Sequence, residues 1–425
     1  MTDIATSRMT TLVSRTRLLA EDEDPLSVLG ADGFAWLCEG AGLATTGVAA
    51  RIPLPQGRGR IAVAAEHTAQ VLAAISVDDP VALRGTGPIA VGAIPFADDA
   101  PGELVVPAVV LGRTADGRAW ITETGPPAHD GTGPQVGPVE RHRPLPPPGN
   151  SGTQPGGLVA AEEHRATWTA AVGSALDLIA AGTVSKVVLA RQLEVSAGHD
   201  FDVRSVVDRL RRAHPSCWTY AMGTFVGASP ELLVRRRHRW VESRPMAGTV
   251  AQGVAAAEDE RLVARLVTSA KDRAEHAVVI DDVVANLTPV CEMVFAHEPG
   301  VVRLSNVAHL ATTVAGLLHE PPPSALAVTG CLHPTPAVAG APRQPALAAI
   351  AEMENFDRGL YAGPVGWVDR RGDGEWAVAL RSAELRGNRA VLTAGAGIVA
   401  DSDADAEWRE TSAKLEAMLD VLSAL

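Results

Sequence analysis

Cysteine is scarce in this 425-residue chain, at four residues: Cys38, Cys217, Cys291 and Cys331. They lie far apart, form no C-x-x-C pair and follow no signal peptide, which argues against a disulfide framework. They read as buried, reduced small hydrophobes of a cytoplasmic protein. Long apolar runs are also missing, since none approaches the ~20 residues a membrane-spanning helix requires. Basic residues fall short of acidic ones, 37 against 50, for a net charge of -13. That deficit argues against a nucleic-acid surface, which needs a basic patch. It also means that any anionic small molecule must find local Arg, Lys or metal charge. With no apolar interface motif in view, a monomer is expected.

What is present suits a sizeable core, with 46% hydrophobic residues and 20% charged. The chain is long for one domain but shows no second set of motifs, so one intertwined domain of two lobes is expected. Residues 1–157 read as a scaffold lobe, in which short apolar runs such as Leu104–Leu111 alternate with Gly and Pro. One helix is expected there, near Thr68 to Ser76. The lobe ends in a Pro/Gly-rich linker over 125–157, with Pro126-Pro127, Pro146–Pro148 and Gly156-Gly157. Residues 158–425 carry the groups with chemical potential.

Two strand-like runs flank Gly387-Asn388, a dipeptide suited to a two-residue hairpin turn. Pairing about that turn puts Arg381 opposite Ala394, with its guanidinium toward the Gly395-Ala396-Gly397 backbone. On the following helix Glu407, Glu410 and Lys414 share one face at i, i+3 and i+7. Asp272 and Glu275 repeat the i, i+3 spacing on a long helical pattern over 257–287, with Leu262, Leu266, Ala270, Ala277 and Val284 as core contacts. Two carboxylate pairs on two helices are oxygen donors of the kind that hold Mg²⁺ with waters and substrate oxygens.

Further upstream, Lys186 opens a strand and shares a face with Val188 and Ala190, where interior placement would make it a usable base. Glu231 sits in the turn Gly227-Ala-Ser-Pro-Glu231 beside apolar residues, the setting that raises a carboxyl pKa and suits a general acid. His309 lies in a strand-like run, where it could donate to a substrate carboxylate or hydroxyl. Gly248 and Thr249 belong to a tight turn that allows close backbone approach. Singly, each of these residues is commonplace: surface lysines, turn glutamates and solvated helix faces abound.

Their order changes the reading. S-K-V-V-L-A-R at 185–191, S-P-E-L-L at 229–233, P-M-A-G-T at 245–249 and K-D-R-A-E-H at 271–276 resemble the chorismate-utilising enzymes, and among them the isochorismate synthases most closely. The likeness continues with H-P-T-P-A-V-A-G-A-P-R at 333–343, Y-A-G-P-V-G at 361–366, A-L-R-S-A at 379–383, A-G-A-G-I at 394–398 and E-W-R-E-T-S-A-K at 407–414. It spans about residues 160–420, while the first 150 match only loosely.

The resemblance implies an α+β fold of large antiparallel sheets surrounded by helices, with the active site between the sheet layers. It implies Lys186 as the base that activates water for attack at ring C2, and Glu231 as the acid at the departing C4 hydroxyl. Glu275 and Glu410 would hold Mg²⁺ on the ring carboxylate, with Asp272 and Glu407 supporting through water. Asp272 stands where Glu is common, which puts direct ligation by it in doubt. Arg381, Tyr361 and the amides of Gly395, Ala396 and Gly397 would hold the enolpyruvyl carboxylate, with Lys414 and His309 close to the substrate. Ammonia-using relatives lack the lysine at 186 or carry one where Ala247 stands. Salicylate synthases typically have Thr at the position of Ala337. The expected activity is therefore Mg²⁺-dependent isomerisation of chorismate to isochorismate, feeding menaquinone or siderophore synthesis. Salicylate synthase and a catalytically silent chorismate-binding protein are the alternatives.

Overall fold

The structure is a computed structural model. It describes residues 11–19, 23–129, 131, 133–143, 145, 157–161, 164–251, 256–304 and 307–424. Most of the Pro-rich stretch 144–156 lies outside the described residues.

Twenty strands hydrogen-bond into one branched sheet. Its pairs run antiparallel except for Val13–Leu18 beside Ser76–Asp78. Three further strands, Met246–Ala251, Val307–Ala311 and Gly300–Arg303, form a small second sheet. Strands from the first 125 residues pair directly with later ones: Phe34–Cys38 lies against Trp218–Met222, and Ile89–Ala93 against Pro364–Asp369. Helices cover the sheets, giving the mixed α+β architecture of large antiparallel sheets surrounded by helices. The largest apolar cluster joins the helices Arg60–Ala73, Arg165–Ala180 and Ala325–Leu332 to the strand Lys186–Ser196. Leu318, Leu326 and Leu332 are fully buried there, each stabilising the fold by about 1.5–3 kcal/mol relative to exposure.

Two helix expectations need correction. The first helix runs Arg60–Ala73 rather than Thr68–Ser76, and Ser76–Asp78 is a strand. It starts after Gly59 (φ 77°) with no side-chain cap, so no cap residue marks its start, while Ile61, Ala64, Ala65, Thr68 and Leu72 form its buried face. The long pattern over 257–287 is two helices, Ala256–Thr268 and Ala270–Leu287. Ser269 breaks it by acting as an N-cap: its side chain accepts the Asp272 N–H. The break resets the phase, so Ala270 and Ala277 are exposed and His276, Val279, Val283 and Leu287 face inward. All four cysteines are unpaired; Cys217 and Cys291 are buried, Cys38 and Cys331 half-buried. Among the described residues no helix is long and apolar enough to cross a membrane.

Candidate active site

The hairpin forms about Gly387-Asn388, with Arg386 paired to Arg389 and Ser382 to Thr393, so the register counted from the turn holds as far as Ser382 and Arg381 lies one residue beyond the pairing. Arg381 immediately precedes the strand Ser382–Arg386 and takes up the left-handed region (φ 52°). On the far side of the strand Arg389–Ile398 lies the strand Lys186–Ser196, with Gly397 opposite Val188 and Gly395 opposite Ala190. A Cβ on Gly397 would sit 2.7 Å from Lys186 Cε and 2.9 Å from Glu275 Oε1. The glycine makes room for those two side chains. Ala396 alternates to the opposite face and packs in the core, so its side chain does not line the cleft.

The cleft holds about 770 Å³ of space, mouth included, and Lys186 and Glu231 both line it. Lys186 is 3% exposed, and its Nζ donates to Glu275 Oε1 at 2.8 Å. Burial opposes the Glu275 carboxylate, but the Lys186 charge and hydrogen bond, with help from Lys414, outweigh it and hold the group below its usual range. Glu231 is 4% exposed and fixed through its backbone: its N–H donates to Ser229 Oγ, and its C=O accepts from Val378 N–H. Burial pushes its carboxyl up to about 8, against the opposing pull of Lys186, the Met246 backbone and Lys414. At neutral pH Glu231 therefore carries a proton that it can donate.

Arg381 Nη2 donates to His309 Nε2 at 3.1 Å, and its Nη1 donates to the Lys414 carbonyl at 3.3 Å. A guanidinium only donates, so His309 Nε2 accepts and its Nδ1–H donates to Thr249 Oγ1 at 3.1 Å. Burial, then the charges of Arg381 and Lys414, push His309 well below its ordinary pKa, consistent with a neutral ring. Both ring nitrogens are thus engaged: His309 lines the cleft but is occupied in orienting Arg381, rather than free to donate to a substrate as its strand position suggested. The Tyr361 phenol, pushed up to about 12 by burial, contacts the Gly395 backbone. Lys414 Nζ donates to Gly395 O at 2.8 Å and to Glu410 Oε1 at 2.7 Å. Ala337 forms part of the facing wall.

Gly248 (φ 76°) lies at the irregularity between Ala247 and Thr249, where a Cβ would come within 3.2 Å of Asp272 Cβ. This close approach connects the cleft to a second space of about 1260 Å³, mouth included, lined in part by Asp272, Glu275, Glu407 and Glu410 from two helices. Gly248, Thr249, Glu275, Gly397 and Glu410 border both spaces. Glu407 is pushed up to about 7 by burial and then by the nearby Glu410 charge, with the Ser402 hydroxyl donating to it at 2.7 Å. Among the described residues no three carboxylate, imidazole or thiolate groups converge into a ready cluster, and Glu275 and Glu410 each hold a lysine instead. Met246, Val338, Leu380 and Thr393 also line the cleft but were not singled out by sequence reasoning. Met246 and Val338 lie inside the quoted motifs, Leu380 precedes Arg381, and Thr393 follows from the hairpin register.

Known proteins share the sequence and the fold that carry this cleft. The family described as chorismate binding enzyme matches residues 31–423. Isochorismate synthase DhbC of Bacillus subtilis is 37% identical over 346 residues, covering 78% of this chain and 80% of that protein. Isochorismate synthase EntC of Escherichia coli is 38% identical over 264 residues, covering 61% and 67%. The solved structure of MenF, the menaquinone-specific isochorismate synthase of Escherichia coli, superposes with a TM-score of 0.78 at 25% identity, covering 97% of this chain and 95% of that one. With the match spanning residues 31–423 and Lys186, Glu231 and Arg381 gathered in one cleft, the chain belongs to the chorismate-binding enzyme family.

Proposed function

We propose that this chain converts chorismate to isochorismate by adding water at ring C2 and expelling the C4 hydroxyl. The observation that carries the proposal is the lining of one cleft by a buried carboxyl, Glu231, whose burial favours the protonated form, and a buried amine, Lys186, beside Arg381. Hydroxide is a poor leaving group, so its departure needs a proton from a positioned acid, and water needs a base to attack. Glu231 donates to the C4 hydroxyl and Lys186 takes the proton of the water. Lys186 begins this cycle bonded to Glu275, as a donor. It serves as base only when Glu275 has another counter-charge. Arg381, held by His309, and Lys414 bind carboxylate oxygens of the substrate, where charge-assisted hydrogen bonds are strongest.

The acidic cavity fits Mg²⁺ in donor chemistry: four carboxylates from two helices, open to the cleft, with one like-charge pair that a cation would relieve. Glu275 and Glu410 would hold the ion, with Asp272 and Glu407 acting through water. Bound there, Mg²⁺ would offset and orient a ring carboxylate that a chain of net charge -13 otherwise repels.

Chorismate incubated with the protein and Mg²⁺, its products separated by chromatography, should give isochorismate, and EDTA should stop its formation. Dominant salicylate with released pyruvate would instead indicate a salicylate synthase. Unchanged chorismate would indicate a silent binder. The proton on Glu231 also sets a pH dependence. Its acid form is lost as pH rises through about 8, so kcat should fall roughly tenfold per unit above that value. An alkaline limb absent up to pH 10 would remove Glu231 from the acid role.

A further inference from the structure

The strand Lys186–Ser196 has a continuous neighbour on one edge only, Arg389–Ile398. On its other edge Gly340–Ala341 pairs with Val187 and Lys186, and one more bond runs from Val188 N–H to Ala339 O. The ladder then stops, and resumes only at the far end, where Val159–Ala160 pairs with Ser196 and Val195. The Val188 carbonyl and the Ala190 N–H, which point out of the same edge, meet no strand. Two side chains take its place: Arg358 Nη2 donates to Val188 O at 2.8 Å, and Glu354 Oε1 accepts from Ala190 N–H at 2.7 Å.

Glu354 and Arg358 are joined to each other by two bonds, Nε to Oε2 at 2.8 Å and Nη2 to Oε1 at 2.6 Å. Their side chains are 4% and 3% exposed. Arg358 Nη1 reaches a second wall of the cleft, donating to Val338 O at 2.8 Å. The Arg358 carbonyl accepts the Tyr361 N–H at 2.9 Å, which ties in a third. Phe96 covers the guanidinium face at 4.5 Å. One buried ion pair thus links the strand of the proposed base, the loop carrying Ala337 and Val338, and the turn carrying Tyr361.

We propose that Glu354 and Arg358 are positioning residues for the reaction, acting as a side-chain substitute for a missing strand that sets the width of the cleft between Lys186 and the facing wall. The proposal rests on the reaction proposed above. The guanidinium fork is required because three acceptors in different directions are held at once, which an ammonium on a flexible stem does not reproduce. The groups assigned to the substrate carboxylates, Arg381 and Lys414, have no recorded bond to the pair. Disturbing it should therefore alter the chemical step more than binding.

The test uses the full chain in three forms: wild type, Arg358→Lys, and the double variant Glu354→Gln/Arg358→Met, which strands no buried charge. Folding is checked by circular dichroism and thermal melting, and kinetics are measured below both melting temperatures. Misplacing reacting groups by about 1 Å costs ~100-fold in rate, so the double variant should lose ~10- to 100-fold in kcat with KM within ~3-fold, and Arg358→Lys should fall between. Amide exchange should show lost protection at Ala190 with none lost at Leu392 on the neighbouring strand. A folded variant with kcat within twofold of wild type, or a loss carried wholly by KM, overturns the proposal. If wild type leaves chorismate unchanged, the proposed reaction fails separately. Exchange at Ala190 then decides the clamp: lost protection supports it, and unchanged protection overturns it.

Discussion

Glu231→Gln is expected to lose ~10²–10⁴-fold in kcat with chorismate affinity little changed, the range typical of removing a positioned general acid. The amide has nearly the shape of the carboxyl and keeps an oxygen for the Met246 backbone contact, so the pocket should hold its form. What it lacks is a transferable proton. The same variant carries a stability signature. Burial pushes the Glu231 carboxyl from 4.5 to about 8, so the folded state retains a proton that the unfolded chain releases. The stability this contributes is present below the unfolded pKa and is lost as pH rises toward 8. Between those values wild type should weaken with rising pH more steeply than Glu231→Gln, in which Glu407 still titrates, so the melting-temperature difference should move in favour of the variant. Turnover surviving in Glu231→Gln would remove the acid from the proposed mechanism.

Lys186→Ala is expected to abolish turnover altogether, but that substitution alone confounds two effects. It strands Glu275, whose carboxylate depends on the 2.8 Å bond from Lys186, and breaking a buried pair by removing one partner costs about 3–5 kcal/mol. Lys186→Gln separates the effects, because an amide can still donate to Glu275 but cannot take a proton from water. Both variants should be inactive, with the Gln form melting closer to wild type. Chorismate affinity in the presence of Mg²⁺, followed by calorimetry, should persist in the Gln form. An active Lys186→Gln protein would mean that water is activated by another group.

The parts of this site that sequence made legible are the local ones. Gly387-Asn388 fixed a hairpin whose register followed by counting, and the i, i+3 spacing put each acid pair on one helix face. Other features depend on residues brought together from far apart. Lys186 and Glu275 are separated by 89 positions, and no spacing signals that the proposed base and a proposed metal ligand are bonded to each other. His309 looked like a free donor because the two groups that occupy its nitrogens, Thr249 and Arg381, come from other strands. Ala396 can join its neighbouring glycines through its amide alone, because strand alternation sends its side chain to the other face. The split at Ser269 was missed because apolar spacing continues across it, and a serine cap weighs little against a long period.

The Phe34–Cys38 strand, flanked by Ala41–Pro53 and Trp218–Met222, gives the sheet one more property. A strand from the front of the chain is bonded there to one from its middle, so the gene offers no seam between a replaceable front module and a chemical back module. Severing the two would bare unpaired backbone along two ladders, Phe34–Cys38 with Trp218–Met222 and Ile89–Ala93 with Pro364–Asp369, a ready template for aggregation. Variation in such a protein is channelled into side chains lining the cavities, while exchange of whole segments is penalised.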